Sequence, residues 1–432
     1  MSRRWHFNRP YIFCYYVSGH GYGHATRVNQ IITELLSLPQ PHTIYIISDA
    51  SEFIFREVVG MGAIYRRAPI DAGVIQPLPY VIDRKATMCG VREFMARRED
   101  CVRTEAEWLN NVGCDMVLAD APFLPCVAAR NAGIPCALIT NFTFDEIYLK
   151  LRENDELDKE IEAAVHRITE DYRHSQLLVR LPGHINIPAF EGVKPVSPSE
   201  FFARGTGLNK RWVVDVPLVV RKAHRTRDEV LRSLGIPQSI AATHKVLLLS
   251  FGGQKEGKEG WGDCLPPGWI CIVCGAGTST LPDRFYRAPR DAYVPDLNEA
   301  ADVVLGKLGY GGCSEAVAHA RPFIYVPRPQ FKEEEGLLHL MRSEGGCVEM
   351  PQEDFEAGKW SQYIRTAATL PGRARNAELR DNGGEIVARV LLDFLQETKK
   401  DVGVSSPASS VASSSITNRL VVLRKGVVLS AH

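Results

Sequence analysis

One pattern occurs twice in this chain: a short apolar strand, a glycine-rich loop and a helix. In the first copy the apolar run is residues 11–17 and the loop is residues 18–27, and in the second copy they are residues 303–305 and 306–315. Other short apolar runs, separated by segments of helical periodicity, surround both copies. Short buried strands alternating with helices are typical of a doubly wound parallel sheet. The chain is therefore predicted to be an α/β protein with two similar Rossmann-like, doubly wound domains.

The positions of the apolar runs also predict where the domains begin and end. The first domain is predicted at residues 1–190 and the second at residues 214–398, with an irregular insertion at 191–213 that shows no periodicity. Residues 399–432 are rich in Ser and poor in large apolar groups, so this tail is predicted to be disordered. The predicted strands are residues 11–17, 43–48, 116–119 and 135–140 in the first domain, and 245–251, 269–274, 303–305 and 323–326 in the second.

The composition favours small-molecule ligands. The 432 residues include 51 basic and 51 acidic side chains, so no charge pattern points to nucleic acid as a partner. No apolar run approaches the ~18 residues needed for a membrane span, and the start lacks a signal sequence, so the protein is expected to be cytoplasmic. The 11 cysteines include one C-x-x-C, Cys271 to Cys274. It lies within a strand-like run that would send its sulfurs to opposite faces, which argues against a metal site.

The first glycine-rich loop has the features of a reaction site. Glycine allows the backbone to approach a ligand closely, and the loop contains two histidines, His20 and His24. His24 is predicted in the first helical turn, where the helix dipole favours the neutral, basic imidazole. His20 is expected to shape the loop. The glycines of the loop are Gly19, Gly21 and Gly23.

The same glycines also give the alternative of a dinucleotide fingerprint, and hence of an NAD-dependent oxidoreductase. Two imidazoles would crowd the site of pyrophosphate binding, and Asp49 lies further on than the ~20 residues of that fingerprint. A simple tight turn is the other alternative.

The second glycine-rich loop is predicted to bind phosphate. Free N–H groups at a helix start bind phosphate oxygens, Lys307 can add a positive charge, and Glu315 can accept from both hydroxyls of a ribose. Each candidate also has a simpler explanation: Glu315 as a solvated helix residue, the acidic run 333–335 as an exposed face, and the Gly pair 252–253 as a tight turn. The candidate donor-binding residues are Gly252, Gly253, Lys307, Gly309, Gly311, Gly312, Glu315, Glu333 and Glu334.

The motifs at residues 19–27, 293–298 and 309–315 resemble GT-B glycosyltransferases of the bacterial lipid-intermediate N-acetylglucosaminyltransferase type. The longer motifs at 15–27, 107–110, 140–142, 180–183, 215–221 and 305–311 are more similar to the glycosyltransferase-like N-terminal half of the plant L-arabinokinases. The resemblance implies that the C-terminal domain binds a nucleotide-diphosphate sugar, of UDP type or GDP type, and that the N-terminal domain binds an unknown acceptor. The implied acceptor-side residues are Gly19, His20, Gly21, Gly23, Arg27 and Asn141.

In this interpretation His24 is the general base, and Asp120, which follows a strand, either orients its imidazole or caps a helix. The loop 309–312 would stabilise the leaving diphosphate. No D-x-D motif occurs, so the predicted reaction needs no metal and no cofactor besides the donor substrate. A non-catalytic sugar or nucleotide binder remains the alternative function. The phosphate loop of the arabinokinase kinase half is not found, and kinase activity is not expected.

Overall fold

The structure is a computed structural model that describes residues 9–19, 22–204, 210–251, 264–275, 280–374 and 379–401. Four candidate residues lie outside this part of the chain, as does the tail from residue 402 onward. The four are His20, Gly21, Gly252 and Gly253.

The first domain is built on a parallel sheet of eight strands in the order β3-β2-β1-β4-β5-β6-β8-β7. Alternate residues of β1 enter different cores, with Phe13 and Tyr15 on one face and Cys14 and Tyr16 on the other. Both faces are therefore covered, as expected for a doubly wound sheet. The strands are β1 (Ile12–Val17), β2 (Thr43–Ser48), β3 (Ile64–Arg67), β4 (Met116–Asp120), β5 (Cys136–Thr140), β6 (Leu177–Arg180), β7 (Pro195–Val196) and β8 (Trp212–Asp215).

The second domain contains a parallel sheet of six strands in the order β11-β10-β9-β12-β13-β14. Its central strand also buries both faces, because Leu247 and Leu249 pack into one core while Val246 and Leu248 pack into another. The strands are β9 (Lys245–Ser250), β10 (Trp269–Cys274), β11 (Phe285–Arg287), β12 (Val303–Gly306), β13 (Phe323–Tyr325) and β14 (Cys347–Glu349). The prediction of two doubly wound parallel sheets is thus confirmed.

Helices connect the strands of both sheets. Within the described part of the chain, none of them combines the length and the apolar character needed to cross a bilayer. In the first domain they are α1 (Tyr22–Leu36), α2 (Arg56–Gly60), α3 (Arg84–Asn111), α4 (Leu124–Ala132), α5 (Phe144–Leu149), α6 (Leu157–Tyr172) and α7 (Pro198–Arg204), with 3-10 turns at Glu52–Phe55 and Pro188–Phe190. The remaining helices are α8 (Arg227–Ser233), α9 (Gln238–Ala241), α10 (Val294–Ala300), α11 (Tyr310–Ala318), α12 (Glu333–Ser343), α13 (Gln352–Glu356), α14 (Ser361–Ala367) and α15 (Gly383–Asp401).

The segment 191–213, which the sequence analysis treats as an irregular insertion, contributes to the first sheet. It contains β7, α7 and the first two residues of β8. Strands of two and four residues are too short to show a period in the sequence, although Trp212 and Val213 do point into different cores. The first sheet therefore extends to Asp215, beyond the proposed boundary at residue 214. The last helix, α15, returns to pack against α1 of the first domain.

The two domains touch closely where α12 approaches the turn after β6. A Cβ added to Gly336 would lie 2.4 Å from the carbonyl oxygen of Gly183 and 2.6 Å from that of His184. Real Cβ atoms do not approach backbone oxygens so closely. Glycine at residue 336 therefore permits this contact between the domains.

We expect Gly336→Ala to destabilise the protein by about 1–3 kcal/mol, because the new methyl group forces the two domains apart. Gly90→Ala is the matched control, since Gly90 also lies inside a helix but has no atom within 4 Å of an added Cβ. The control should gain up to about 1 kcal/mol from the higher helix propensity of alanine. Thermal unfolding measures both changes, and equal melting temperatures for the two variants would contradict the domain contact.

Candidate functional site

The two glycine-rich loops predicted from the sequence meet in space. A Cβ added to Gly311, near the start of α11, would lie 3.7 Å from the Cα of Gly23 and 3.0 Å from Oγ1 of Thr26, both in α1. The N-termini of α1 and α11 thus face one another across the domain boundary. They border a cavity of about 340 Å³ whose walls come from both domains. N-terminal helix ends attract anions, because their first N–H groups have no partner within the helix.

His24 forms part of the cavity wall and is held from behind by Asp120. Its Nδ1 lies 3.0 Å from Oδ1 of Asp120, at the carboxyl end of β4. A carboxylate only accepts hydrogen bonds, so a hydrogen bond to Asp120 places the proton on Nδ1 and leaves Nε2 as the basic nitrogen. Nη2 of Arg27, which can only donate, lies near the same Nδ1, and a hydrogen bond from it requires the other tautomer. Asp120 is not a helix cap, since Phe123 occupies the cap position of α4. The structure thus pairs the two residues proposed as catalytic.

Arg27 shares the Asp120 carboxylate. Its Nε donates to Oδ2 at 2.6 Å, its Nη2 donates to Oδ1, and Nη2 also lies 3.1 Å from Nδ1 of His24. Burial raises the pKa of the Asp120 carboxyl, but the charges and hydrogen bonds of Arg27 and His24 outweigh that effect and leave the pKa below its ordinary value. The carboxylate and the guanidinium together are neutral. Asp120 therefore orients the imidazole without placing a net negative charge behind it.

The same guanidinium connects the two domains. Nη1 of Arg27 donates to Oδ1 of Asn141 at 2.5 Å, and Nδ2 of Asn141 donates to Oε1 of Glu333 at 3.1 Å. Glu333 begins α12 of the second domain. Arg27 also lies 4.9 Å from the ring centre of Tyr310, at the start of α11. A continuous polar chain thus runs from His24 to the C-terminal side of the cavity.

The phosphate-binding candidates line the cavity on the C-terminal side. Gly309 is the N-cap of α11, and Gly311 and Gly312 lie in its first turn. Lys307 precedes the helix and also lines the cavity. Burial, and then the nearby charge of Arg328, lower the pKa of Lys307 to about 7. An anionic ligand would favour the charged form of this lysine.

Glu315 is buried, which excludes its interpretation as a solvated helix residue. Its Oε1 accepts from Nη2 of Arg221 at 3.0 Å, and its Oε2 accepts from Nδ2 of Asn298 at 2.9 Å. Each carboxylate oxygen thus already has one partner. The sequence analysis assigned no role to Arg221 or Asn298. Both lie in motifs that carry the family resemblance, but the local pattern around each gives no sign that they converge on Glu315.

The three glutamates at the start of α12 have different surroundings. Glu333 is buried and lines the cavity, whereas Glu334 accepts from the backbone N and from Nε of Arg328, both at 2.7 Å. Glu335 is half exposed and pairs with Lys150 and Lys332. Only Glu335 fits the exposed charged face considered above. Arg328 was not anticipated from the sequence.

The candidates therefore fall into three groups within the described part of the chain. Asp120 and Asn141 lie behind the cavity and hold its wall, whereas Gly19, packed against Asp49 and Ala50, and Glu334 do not line it. The candidates that line the cavity are Gly23, His24, Arg27, Lys307, Gly309, Gly311, Gly312, Glu315 and Glu333.

The chain is similar to known proteins in both sequence and structure. No family model matches the chain. The chain is 36% identical over 383 residues to the L-arabinokinase of Arabidopsis thaliana, in a match that covers 88% of this chain and 34% of that protein. The chain thus spans about a third of the length of this relative.

The solved structures similar to this one include three with TM-scores of 0.50–0.52. The glycotransferase of kitacinnamycin is 16% identical with a TM-score of 0.51, covering 90% of this chain and 96% of the other. A UDP-glucosyltransferase from Polygonum tinctorium is 12% identical with a TM-score of 0.52, covering 93% and 96%. The MnaA–UDP co-structure from S. aureus is 10% identical with a TM-score of 0.50, covering 90% and 97%.

At these identities the solved structures establish the fold alone, and the sequence match supplies the relationship. The shared fold and the sequence match agree with the family resemblance that the sequence motifs indicated. The chain has the GT-B fold of glycosyltransferases and is related in sequence to the N-terminal part of the L-arabinokinases.

Proposed function

We propose that this protein transfers a sugar from a nucleotide-diphosphate donor to an acceptor hydroxyl, with His24 as the general base. One observation carries the proposal: the N-terminus of α11 and His24, which Asp120 holds from behind, border the same cavity from opposite domains. A base and an anion-binding helix end are the two groups that displacement at an anomeric carbon requires.

The C-terminal domain would hold the donor. The free N–H groups at the start of α11 and the ammonium of Lys307 would bind the diphosphate and stabilise the negative charge that develops as it leaves. Glu315 lies one turn further along α11 and would be near the ribose, and Glu333, which lines the cavity, would accept from a hydroxyl of the sugar. Because the helix end and the lysine supply positive charge, the proposed mechanism needs no metal ion.

The N-terminal domain would activate the acceptor. Nε2 of His24 takes the proton of the acceptor hydroxyl while its oxygen forms a bond to the anomeric carbon. The bond from that carbon to the diphosphate oxygen breaks, and the electron pair leaves with the diphosphate. The imidazolium keeps its Nδ1–H bond to Asp120, which holds the ring in position through the transfer. A binding module with the same cavity would bind the donor without turnover.

The first test is nucleotide binding. UDP, GDP or ADP should raise the melting temperature, because a ligand at a hundred times its Kd adds about 2.7 kcal/mol of stability. Gly309→Val should abolish the shift: an added Cβ has no atom within 4 Å, so the fold is retained while the side chain obstructs the phosphate site. A shift with NAD but with none of the three nucleotides would contradict the proposal and favour an oxidoreductase.

The second test concerns the base. His24→Ala should lower turnover of the donor identified above by about 10²–10⁴-fold and leave donor affinity within a few-fold, since the donor lies on the other domain. His166→Ala is the control, because His166 is exposed on α6. Release of the nucleoside diphosphate measures turnover. A fully active His24→Ala protein rules out this base, and tight binding without turnover in the wild type favours the binding module.

The third test uses the pKa of Lys307. A pKa of about 7 means that the free protein loses this charge as the pH rises above 7, while a bound diphosphate favours the charged form. Affinity for UDP should therefore fall between pH 7 and pH 9, by at most about tenfold per pH unit for one proton. The last phosphate proton leaves near pH 6, below this window. Calorimetry at several pH values measures how UDP affinity changes with pH. Lys307→Arg should remove this pH dependence, and an unchanged pH dependence in that variant would refute the role of Lys307.

A further inference from the structure

We propose that the loop at residues 75–83 of the first domain closes one side of the cavity, and that the cavity opens when Tyr80 of this loop leaves the second domain. The loop lies between β3 and α3. Its base is fixed, because the backbone N–H of Asp83 donates to the carbonyl oxygen of Ile75 at 2.9 Å. Gln76, the residue after this base, lines the cavity.

The tip of the 75–83 loop lies in the core of the second domain. Tyr80 is 5% exposed, and its ring meets those of Phe251 and Phe355 edge to face at centroid distances of 6.3 and 6.1 Å. The Tyr80 hydroxyl donates to Oε1 of Glu356 at 3.0 Å. Burial, and then this hydrogen bond, raise the pKa of Tyr80 to about 12, so the hydroxyl keeps its proton at neutral pH. The first domain is thus anchored in the second by one side chain of this loop.

This anchor holds a different face of the second sheet from the other contacts between the domains. Tyr80 packs into the core that contains Leu247 and Leu249, whereas α12 and α15 pack into the core that contains Val246 and Leu248. The latter core continues into the first domain. In the core around Leu247, by contrast, Tyr80 is the one buried first-domain residue within the described part of the chain. Withdrawal of a single side chain therefore frees that face, while the continuous core keeps the domains joined.

The Tyr80 contacts then determine how often the cavity opens. Weakening them raises the open population, and a ligand that enters only the open cavity both binds and leaves faster. The Kd of the ligand changes little, because Tyr80 does not line the cavity and its contacts are the same in the free and the bound protein. Faster exchange at constant affinity distinguishes an opening loop from a binding residue, whose loss weakens affinity.

Thiol labelling of the ligand-free protein tests the opening. Cys274 lines the cavity and is half-buried, Cys89 is exposed on α3, and Cys271 is buried in the core that holds Tyr80. Because labelling of a thiol follows its exposure, the three cysteines report opening, reagent activity and unfolding, respectively. N-ethylmaleimide is the reagent, and mass spectrometry of peptides measures the rate at each cysteine.

Tyr80→Phe, which loses only the hydrogen bond, should speed the labelling of Cys274 by about three- to tenfold, and Tyr80→Ala should speed it further. The rates at Cys89 and Cys271 should stay as in the wild type in Tyr80→Phe. Tyr363→Phe is the matched control, because the Tyr363 hydroxyl also donates to a carboxylate, that of Asp354, but within the second domain. This control should label as the wild type at all three cysteines.

Nucleotide exchange is the second test, and only this test rests on the proposed function. Stopped-flow measurements use whichever of UDP, GDP or ADP stabilises the protein. Tyr80→Phe should raise the association and dissociation rate constants by one common factor, about three- to tenfold, and leave the Kd within about twofold. Tyr363→Phe should leave both rate constants unchanged.

The outcomes separate the opening loop from the proposed function. Equal labelling of Cys274 in the wild type, Tyr80→Phe and Tyr80→Ala overturns the loop proposal, whether or not a nucleotide binds. Equal acceleration at Cys271 and Cys274 in Tyr80→Phe also overturns it, because the variant then unfolds the second domain instead of opening the cavity. Unchanged nucleotide rate constants in both Tyr80 variants overturn it as well. Faster labelling of Cys274 alone, in a protein that binds no nucleotide, supports the loop proposal and refutes only the proposed function.

Discussion

The buried ion pair between Arg27 and Asp120 is the interaction on which the site depends. The side chains are 1% and 0% exposed, so both charges have lost their water and are compensated only by each other and by their neighbours. Removing one partner of such a pair typically costs about 3–5 kcal/mol, because the other charge is left buried. The pair connects α1 to the carboxyl end of β4, and this connection fixes the position of His24. The imidazole in the cavity wall is therefore held by a structural ion pair.

The interactions of Arg27 also explain why the cavity lies between the domains. Asn141 extends the hydrogen-bond chain from Arg27 to Glu333, and the ring of Tyr310 lies against the Arg27 guanidinium. Glycine at residue 336 allows α12 to approach the first domain, and α15 returns to pack on α1. The two domains thus share a polar chain, a close backbone contact and a helix. The same residues that hold His24 therefore also connect it to the second domain.

The two sheets place a glycine-rich loop at the same point of their topology, but the two loops carry different side chains. In each, a glycine-rich loop follows a central strand and begins a helix, so the helix N-termini gather at the carboxyl ends of the strands. The first loop brings the imidazole of His24 to the cavity, whereas the second brings glycines and Lys307 but no histidine. The two loops face one another across the cavity, and the architecture is the GT-B fold that the solved structures share.

The sequence by itself determined the two sheets, most of their central strands and the loops that border the cavity, because these features depend on local hydrophobic periodicity and on glycine. It also gave the pairing of His24 with Asp120 as one of two interpretations, beside a helix cap, because Asp120 ends a strand at the edge where ligands of open sheets gather. It did not reveal β7 or β8, whose two and four residues are too short to show a period. Nor could it show that Glu334 serves Arg328, that Arg27 neutralises Asp120, or that Arg221 and Asn298 converge on Glu315. Those contacts join residues up to 94 positions apart, and only the tertiary structure decides which distant charges and amides become neighbours.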